Sequence, residues 1–162
     1  MIWFQGCSLG CAGCFNPGTH AADGATTPVA AVASQLAAAA VEGLSLSGGE
    51  PMQQPAAALA LLEAARALGL STLMFSGYTL DEIRALPEGP AVLANLDVLV
   101  DGRYVSTERL ATGLRGSANQ RIHLLTARYT LAEVEATPVA EIRIGPTGEL
   151  SLTGVDPLKL KR

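Results

Sequence analysis

The chain opens in a short apolar run, Ile2-Trp3-Phe4, which reads as a buried strand with Trp3 and Phe4 in the core. A loop rich in Gly and Cys follows from Gly6 to Asn16. Pro28 to Val41 predicts a helix: Pro28 suits the first turn, the middle is dense in Ala, and Gly43 is placed to stop it. Leu44-Ser45-Leu46-Ser47 predicts a short strand that runs into Gly48-Gly49. A second helix is predicted over Pro55 to Leu68, with Leu59, Leu62, Ala65 and Leu68 as its apolar positions and Gly69 at its end. Ser71 to Phe75 predicts a strand. Thr79, with Glu82 three residues on, forms a capping box at the start of a short helix. Leu96 to Val100 is near-continuously hydrophobic and predicts another strand.

Apolar strands and helices thus alternate from residue 2 to about 101. This is the pattern of parallel βαβ units, in which helices cover a parallel sheet. After Asp101 the pattern loosens into a polar, turn-rich stretch to about 128. Glu141 to Ile144 and Glu149 to Leu152, joined through Pro146-Thr147-Gly148, predict a terminal hairpin over about 139–154. No internal repeat and no linker divides the chain, so residues 1–162 are expected to form one α/β domain.

Composition narrows the chemistry. Hydrophobic residues are 49% of the chain and charged residues 16%, which excludes intrinsic disorder. The net charge of −4 gives no general attraction to phosphate, so nucleic acid is not an expected partner. The apolar stretches are broken by Gly, Glu or Gln and are too short to span a membrane. No secretory signal is visible, and a cytoplasmic location is expected. Lys occurs only at Lys159 and Lys161, which leaves no phosphate-loop lysine and no buried Schiff-base lysine.

The three cysteines, Cys7, Cys11 and Cys14, all lie in the first loop with the spacing C-x3-C-x2-C. An odd number packed so tightly is a poor disulfide framework and a good ligand set in a reducing compartment. Thiolates are soft ligands that suit zinc or iron–sulfur clusters. A four-iron cluster ordinarily takes four cysteines, so three in one loop suggest a cluster with one iron left open for a substrate or cofactor. Gly6, Gly10 and Gly13 interleave the cysteines and let the backbone wrap such a cluster. Two alternatives stand beside this one: a closed zinc site with His20 as fourth ligand, and three cysteines without a joint role.

Ser47-Gly48-Gly49-Glu50-Pro51 follows an apolar strand. In parallel α/β folds ligands bind at the carboxyl ends of strands, and paired glycines admit a ligand close to the backbone. Read alone, the motif is equally a tight turn with a surface Glu.

The two motifs together, in this order, resemble the radical S-adenosylmethionine (SAM) superfamily. Finer matches resemble the activating-enzyme group of the anaerobic ribonucleoside-triphosphate reductase. They are Phe4-Gln5-Gly6-Cys7, Gly13-Cys14-Phe15-Asn16, Leu44 to Pro51, Ser76-Gly77-Tyr78-Thr79, Val98 to Gly102, Arg115 to Gln120 and Leu152-Thr153-Gly154. The resemblance implies a partial (βα) barrel or open parallel sheet, with a small C-terminal hairpin. It implies that Cys7, Cys11 and Cys14 ligate a [4Fe-4S] cluster whose fourth iron is chelated by SAM. Gly13, Cys14 and Phe15 would lie against SAM through their backbone. Gly48 and Gly49 would receive its amino group with Glu50 beside it, and Ser76, Gly77 and Asp101 would sit at later strand ends lining the cavity. For Ser76-Gly77-Tyr78 a strand-to-helix turn, and for Asp101 a helix or turn cap, are equal alternatives.

The implied reaction is reductive cleavage of SAM to a 5′-deoxyadenosyl radical, with electrons from flavodoxin or ferredoxin. That radical would abstract hydrogen from a glycine of a partner glycyl-radical enzyme. Another protein, peptide or small-molecule pathway partner is the alternative target. A zinc-stabilised or electron-transfer module without SAM chemistry is the alternative of another class. Family members usually carry a longer leader before the cysteine loop, so the edge of the first strand is expected to be less protected here. His123 lies between Ile122 and Leu124 and reads as structural, and Arg115, Asn119 and Arg121 read as a turn-forming face or a recognition surface.

Overall fold

The computed structural model describes residues 1–138 and 140–154. Its centre is a five-stranded sheet built from β1 (Ile2–Phe4), β2 (Gly43–Gly48), β3 (Ser71–Ser76), β4 (Val98–Asp101) and β7 (Arg121–Leu124), in that spatial order. The first four strands are parallel and β7 is antiparallel to β4. Between them run α1 (Val29–Ala38), α2 (Pro55–Ala67), α3 (Leu80–Ala85) and α4 (Gly89–Ala94). The sheet is thus the α/β arrangement expected from alternating strands and helices.

Strand register shows which face the helices cover. Ile2, Leu46, Met74, Leu99 and His123 form one cross-strand row, and its central members are fully buried. With Phe4 and Leu44 they pack against Ala58, Leu61, Leu62 and Ala65 of α2, Ile83 of α3 and Val92 of α4. The buried stripe of α2 therefore runs at i, i+3, i+4 and i+7 from Ala58. It is not the predicted Leu59–Leu62–Ala65–Leu68 line, and Leu68 is exposed. Fully burying one such leucine contributes about 2 kcal/mol.

The other face carries Trp3, Ser45, Leu73, Phe75, Val98 and Val100, and only the central Val98 and Val100 are buried. Trp3 is 53% exposed, which corrects its expected place in the core. The cause is position: β1 is an edge strand of three residues, and successive side chains alternate between faces. Phe4 goes inward and Trp3 outward. Toward the amino-terminal ends of the strands this face borders a cavity of about 390 Å³ between Ser45, Leu73 and Val98 and, opposite, Leu114, Tyr129 and Val134.

Several boundaries differ from expectation for identifiable reasons. Gly43 does not stop α1 but begins β2, where a Cβ would lie 2.0 Å from Ser71 Oγ. The stretch after Asp101 is not merely turn-rich. It contains the hairpin of β5 (Arg109–Thr112) and β6 (Arg115–Ser117), and β7, which completes the main sheet. These strands are short and polar, so periodicity does not betray them. A second capping box, Thr130 with Glu133, opens α5 (Leu131–Glu135), which was not expected. The Thr79–Glu82 capping box is present as predicted, with both reciprocal hydrogen bonds. The terminal hairpin is also present, as β8 (Ala140–Ile144) and β9 (Leu150–Gly154), turning at Gly148 with φ 88°. Val139 and residues 155–162 lie outside the described residues. Among those described, no helix is long and apolar enough to cross a membrane.

Candidate metal centre at the carboxyl ends of the strands

The cysteine loop leaves β1 and is tied down at both ends. Gly6 N donates to Thr19 O at 2.8 Å and Cys7 N to His20 O at 3.0 Å, which closes the loop at its base. Gly6, Gly10 and Gly13 have φ of 107°, 65° and 74°. In this left-handed region any other residue is strained, so the interleaved glycines are needed by the path of the loop. Cys7, Cys11 and Cys14 are free thiols, each partly exposed. Asn16 N donates to Cys14 Sγ at 3.4 Å.

Burial pushes the Cys7 thiol up from its ordinary value, and the fields of Glu50, Cys11 and Cys14 push the same way. The three sulfurs and one buried carboxylate thus share one electrostatic neighbourhood. A bound metal reverses that balance, because a coordinated thiol is deprotonated.

Among the described residues no three His, Cys, Asp or Glu side chains converge on one point to hold a single ion. A cubane makes a different demand, since each thiolate binds its own iron corner. Three soft, unpaired, partly exposed thiols on one flexible-backbone loop fit such a cluster.

The Gly-Gly-Glu-Pro turn is stitched to this loop. Gly49 N donates to Phe4 O at 2.7 Å and Glu50 N to Gly6 O at 2.9 Å. A Cβ on Gly49 would lie 2.3 Å from Gly6 O, and one on Gly48 would lie 2.5 Å from Phe4 O. The glycines are therefore demanded first by contact between two backbone segments of the protein itself.

Glu50 is 1% exposed. Its Oε1 accepts from Met52 N and Ser76 Oγ, both at 2.8 Å, and its Oε2 accepts from Gly77 N at 2.8 Å. Burial raises its carboxyl above the ordinary range, partly offset by those hydrogen bonds and by the Arg103 charge. Ser76 in turn accepts from Tyr78 N at 3.1 Å. Asp101, 4% exposed, accepts from Leu80 N at 2.5 Å, at the start of α3. His123 Nε2 stands 3.0 Å from Asp101 Oδ2 without hydrogen-bond geometry. The structure thus brings Glu50, Ser76 and Gly77 into one network, with Asp101 paired to Ser76 across the sheet. Their side chains are directed at the protein: Asp101 caps α3, and Ser76 braces the strand-to-helix turn.

The far wall of the site comes from the segment after β4. Phe15 packs on Tyr104, ring centroids 4.6 Å apart, and the Arg109 guanidinium lies 4.8 Å above the Phe15 ring. A Cβ on Gly116 would come within 2.8 Å of that ring, and one on Gly13 within 3.2 Å of Ser106 Cβ. Asn119 Nδ2 donates to Arg103 O and Gln120 Nε2 to Gly102 O, so this stretch shapes a turn. Arg115 faces Glu135 at 3.6 Å. Arg103 pairs with Glu82 at 2.9 Å, lies 5.5 Å from the centroid of the Tyr78 ring and senses the field of Cys11.

Sequence reasoning missed three glutamines that hold the loop. Gln5 Nε2 donates to Ala21 O at 2.6 Å, Gln54 Nε2 donates to Gln5 O at 2.8 Å, and Gln53 bonds Ser8 twice. The available signal was Gln53-Gln54 directly after the Gly-Gly-Glu-Pro turn, an amide pair next to a conformationally demanding motif.

Residues 1–123 match the model of a protein family described as 4Fe-4S single cluster domain. The chain belongs to this family. It is also similar to the anaerobic ribonucleoside-triphosphate reductase-activating protein of Enterobacteria phage T4. The two are 29% identical over 130 residues, which span 75% of this chain and 81% of the relative. Both findings agree with the resemblance carried by the two motifs. The family match takes in the cysteine loop, the Gly-Gly-Glu-Pro turn, the four parallel strands and all but the last residue of β7.

Proposed function

We propose that this chain is a radical SAM enzyme of the glycyl-radical activase type, built on part of a (βα) barrel. The observation that carries this reading is the union of two motifs at one end of a parallel sheet. The cysteine loop and the Gly-Gly-Glu-Pro turn share backbone hydrogen bonds through Phe4, Gly6, Gly49 and Glu50. A reduced [4Fe-4S] cluster supplies the electron that cleaves SAM reductively to methionine and a 5′-deoxyadenosyl radical. In this reading Cys7, Cys11 and Cys14 hold the cluster and leave one iron for SAM. The backbone of Gly13, Cys14, Phe15, Gly48 and Gly49 lines the cofactor. Glu50, Ser76 and Asp101 act behind it, by fixing the strand ends that present that backbone. Phe15, Tyr104 and Arg109 pack against one another beside the loop, and the protein's part is to orient the bound cofactor.

The name of the phage relative supports an anaerobic ribonucleoside-triphosphate reductase as the partner, and in this reading the radical abstracts hydrogen from a glycine of that partner. Flavodoxin or ferredoxin in the cytoplasm would supply electrons.

The test is anaerobic reconstitution with iron and sulfide. About four irons per chain are expected, with 5′-deoxyadenosine formed on adding reductant and SAM, and a glycyl-radical EPR signal on adding the reductase. Colourless protein with one tightly held zinc would remove the enzyme reading. A brown protein that never cleaves SAM would leave an electron carrier, and SAM cleavage without a glycyl radical would move the target elsewhere. Cys14→Ala should abolish the cluster, read as loss of iron and of the brown absorbance.

A further inference from the structure

Gly6 and Cys7 are flanked by two side-chain braces that reach across from the turn after β2. Glu50 sets that turn: its carboxylate caps the 3-10 turn Pro51–Gln53 by accepting from Met52 N, and Gln53 N donates to Glu50 O at 3.0 Å. Pro51 and Met52 are buried and anchor the turn to the core. The next two side chains, Gln53 and Gln54, then point back at the cysteine loop. Gln54 Nε2 donates to Gln5 O at 2.8 Å, just before Gly6. Gln53 Oε1 accepts from Ser8 N at 3.0 Å and its Nε2 donates to Ser8 Oγ at 2.8 Å, just after Cys7. The same Nε2 is 3.5 Å from Tyr78 Oη. Leu9 then packs against Gly77, where a Cβ would lie 2.4 Å from its Cδ1.

We infer that Gln53 is a positioning residue for the cluster, holding Ser8 and so fixing the spacing between the Cys7 and Cys11 thiols. An amide suits this task, because it presents an acceptor and a donor side by side, matching the N–H and Oγ of one serine. It is also neutral, and so adds no charge beside three thiolates. Ser8 is exposed, so without Gln53 its N–H would bond water and the loop between two ligands would lose its register. The inference rests on the cluster of the family and not on SAM cleavage.

The test uses the whole chain in three forms, parent, Gln53→Leu and Gln53→Glu. Leucine keeps the bulk and removes both hydrogen bonds. Glutamate keeps two acceptors, for Ser8 N–H and Ser8 Oγ–H. In the cluster-free protein, exchange of the Ser8 amide should speed up about tenfold in Gln53→Leu, the effect of two lost hydrogen bonds, and return toward the parent rate in Gln53→Glu. In the reconstituted protein, Gln53→Leu should release iron to a chelator about tenfold faster, with the melting temperature of the cluster-free chain moved by no more than about 5 °C. Ser8→Ala, which removes one of the two bonds from the other side, should speed iron release about threefold.

Parent-like exchange and iron release in Gln53→Leu would overturn the inference. So would a fall in melting temperature that tracks iron release in the leucine and glutamate variants alike. A parent that holds its cluster and never cleaves SAM would sink the enzyme reading and leave this one standing.

Discussion

Glu50 and Asp97 are both 1% exposed, and each fastens β3 to its neighbours, at opposite ends of the sheet. At the amino-terminal end Asp97 accepts from Thr72 N, Thr126 Oγ1 and the Arg66 guanidinium, the last at 2.9 Å. Burial works against its charge, but these partners outweigh it and hold the carboxyl below its ordinary range. At the carboxyl end Glu50 accepts from Met52, Ser76 and Gly77 and has no cation in contact, and its carboxyl is raised. The difference shows what each end is for. The amino-terminal end neutralises its buried charge and serves stability. The other end holds its buried carboxyl by hydrogen bonds, with the Arg103 charge as a partial offset, and its field reaches the Cys7 thiol.

The sharpest way to break this comparison is at the seam between the two motifs. Gly49→Ala should cost about 4 kcal/mol and lower cluster uptake in parallel, because its Cβ has no room against Gly6. Chemical denaturation and iron content read both. A variant that keeps full stability and loses only SAM affinity would return Gly49 to the ligand. Next, Glu50→Ala should cost about 3 kcal/mol by orphaning three donors, two of them buried, and should loosen the cysteine loop through Gln53. Asp97→Asn should cost about 2 kcal/mol with cluster binding unchanged, which separates the two ends.

The pH dependence of Asp97 has a definite sign. A carboxyl lowered in the fold contributes stability above its unfolded value, about 3.9, and loses it as pH falls through the folded value. Asp97→Asn should therefore flatten the acid limb of a stability–pH curve below about pH 4. Glu50, raised in the fold, has the opposite sign: its contribution is fullest below its unfolded value and is lost as pH rises through the folded one. The smallest effect belongs to the terminal hairpin, where Ile144 is 73% exposed. Ile144→Thr should change stability by no more than about 0.5 kcal/mol, measured by thermal melting.

The strands of the first hundred residues and the helices α1 and α2 were legible because the strands are apolar and these helices are long, whereas α4, six residues opening on Gly89-Pro90, was not expected. Thr79 and Glu82 announced a capping box that the structure contains. The segment from β5 to β7 was not legible, since Arg115–Ser117 and Arg121–Leu124 carry strand geometry on polar residues. Within the site, residue type and spacing marked Cys7, Cys11 and Cys14 as candidate ligands, and the resemblance assigned them to a cluster. The glutamine braces left only the Gln53-Gln54 pair as a mark, because the partners of their hydrogen bonds lie 45 and 49 positions away in sequence.

Sequence by itself placed three thiols in one loop and set the alternation of strand and helix, since both depend on residue identity at short range. Tertiary structure alone decided that Trp3 faces outward, that Gly48 and Gly49 yield their space to the neighbouring backbone, and that Glu50 serves the loop from behind. Those outcomes turn on which face of an edge strand is covered and which segments meet. Only packing between residues distant in the chain fixes either one.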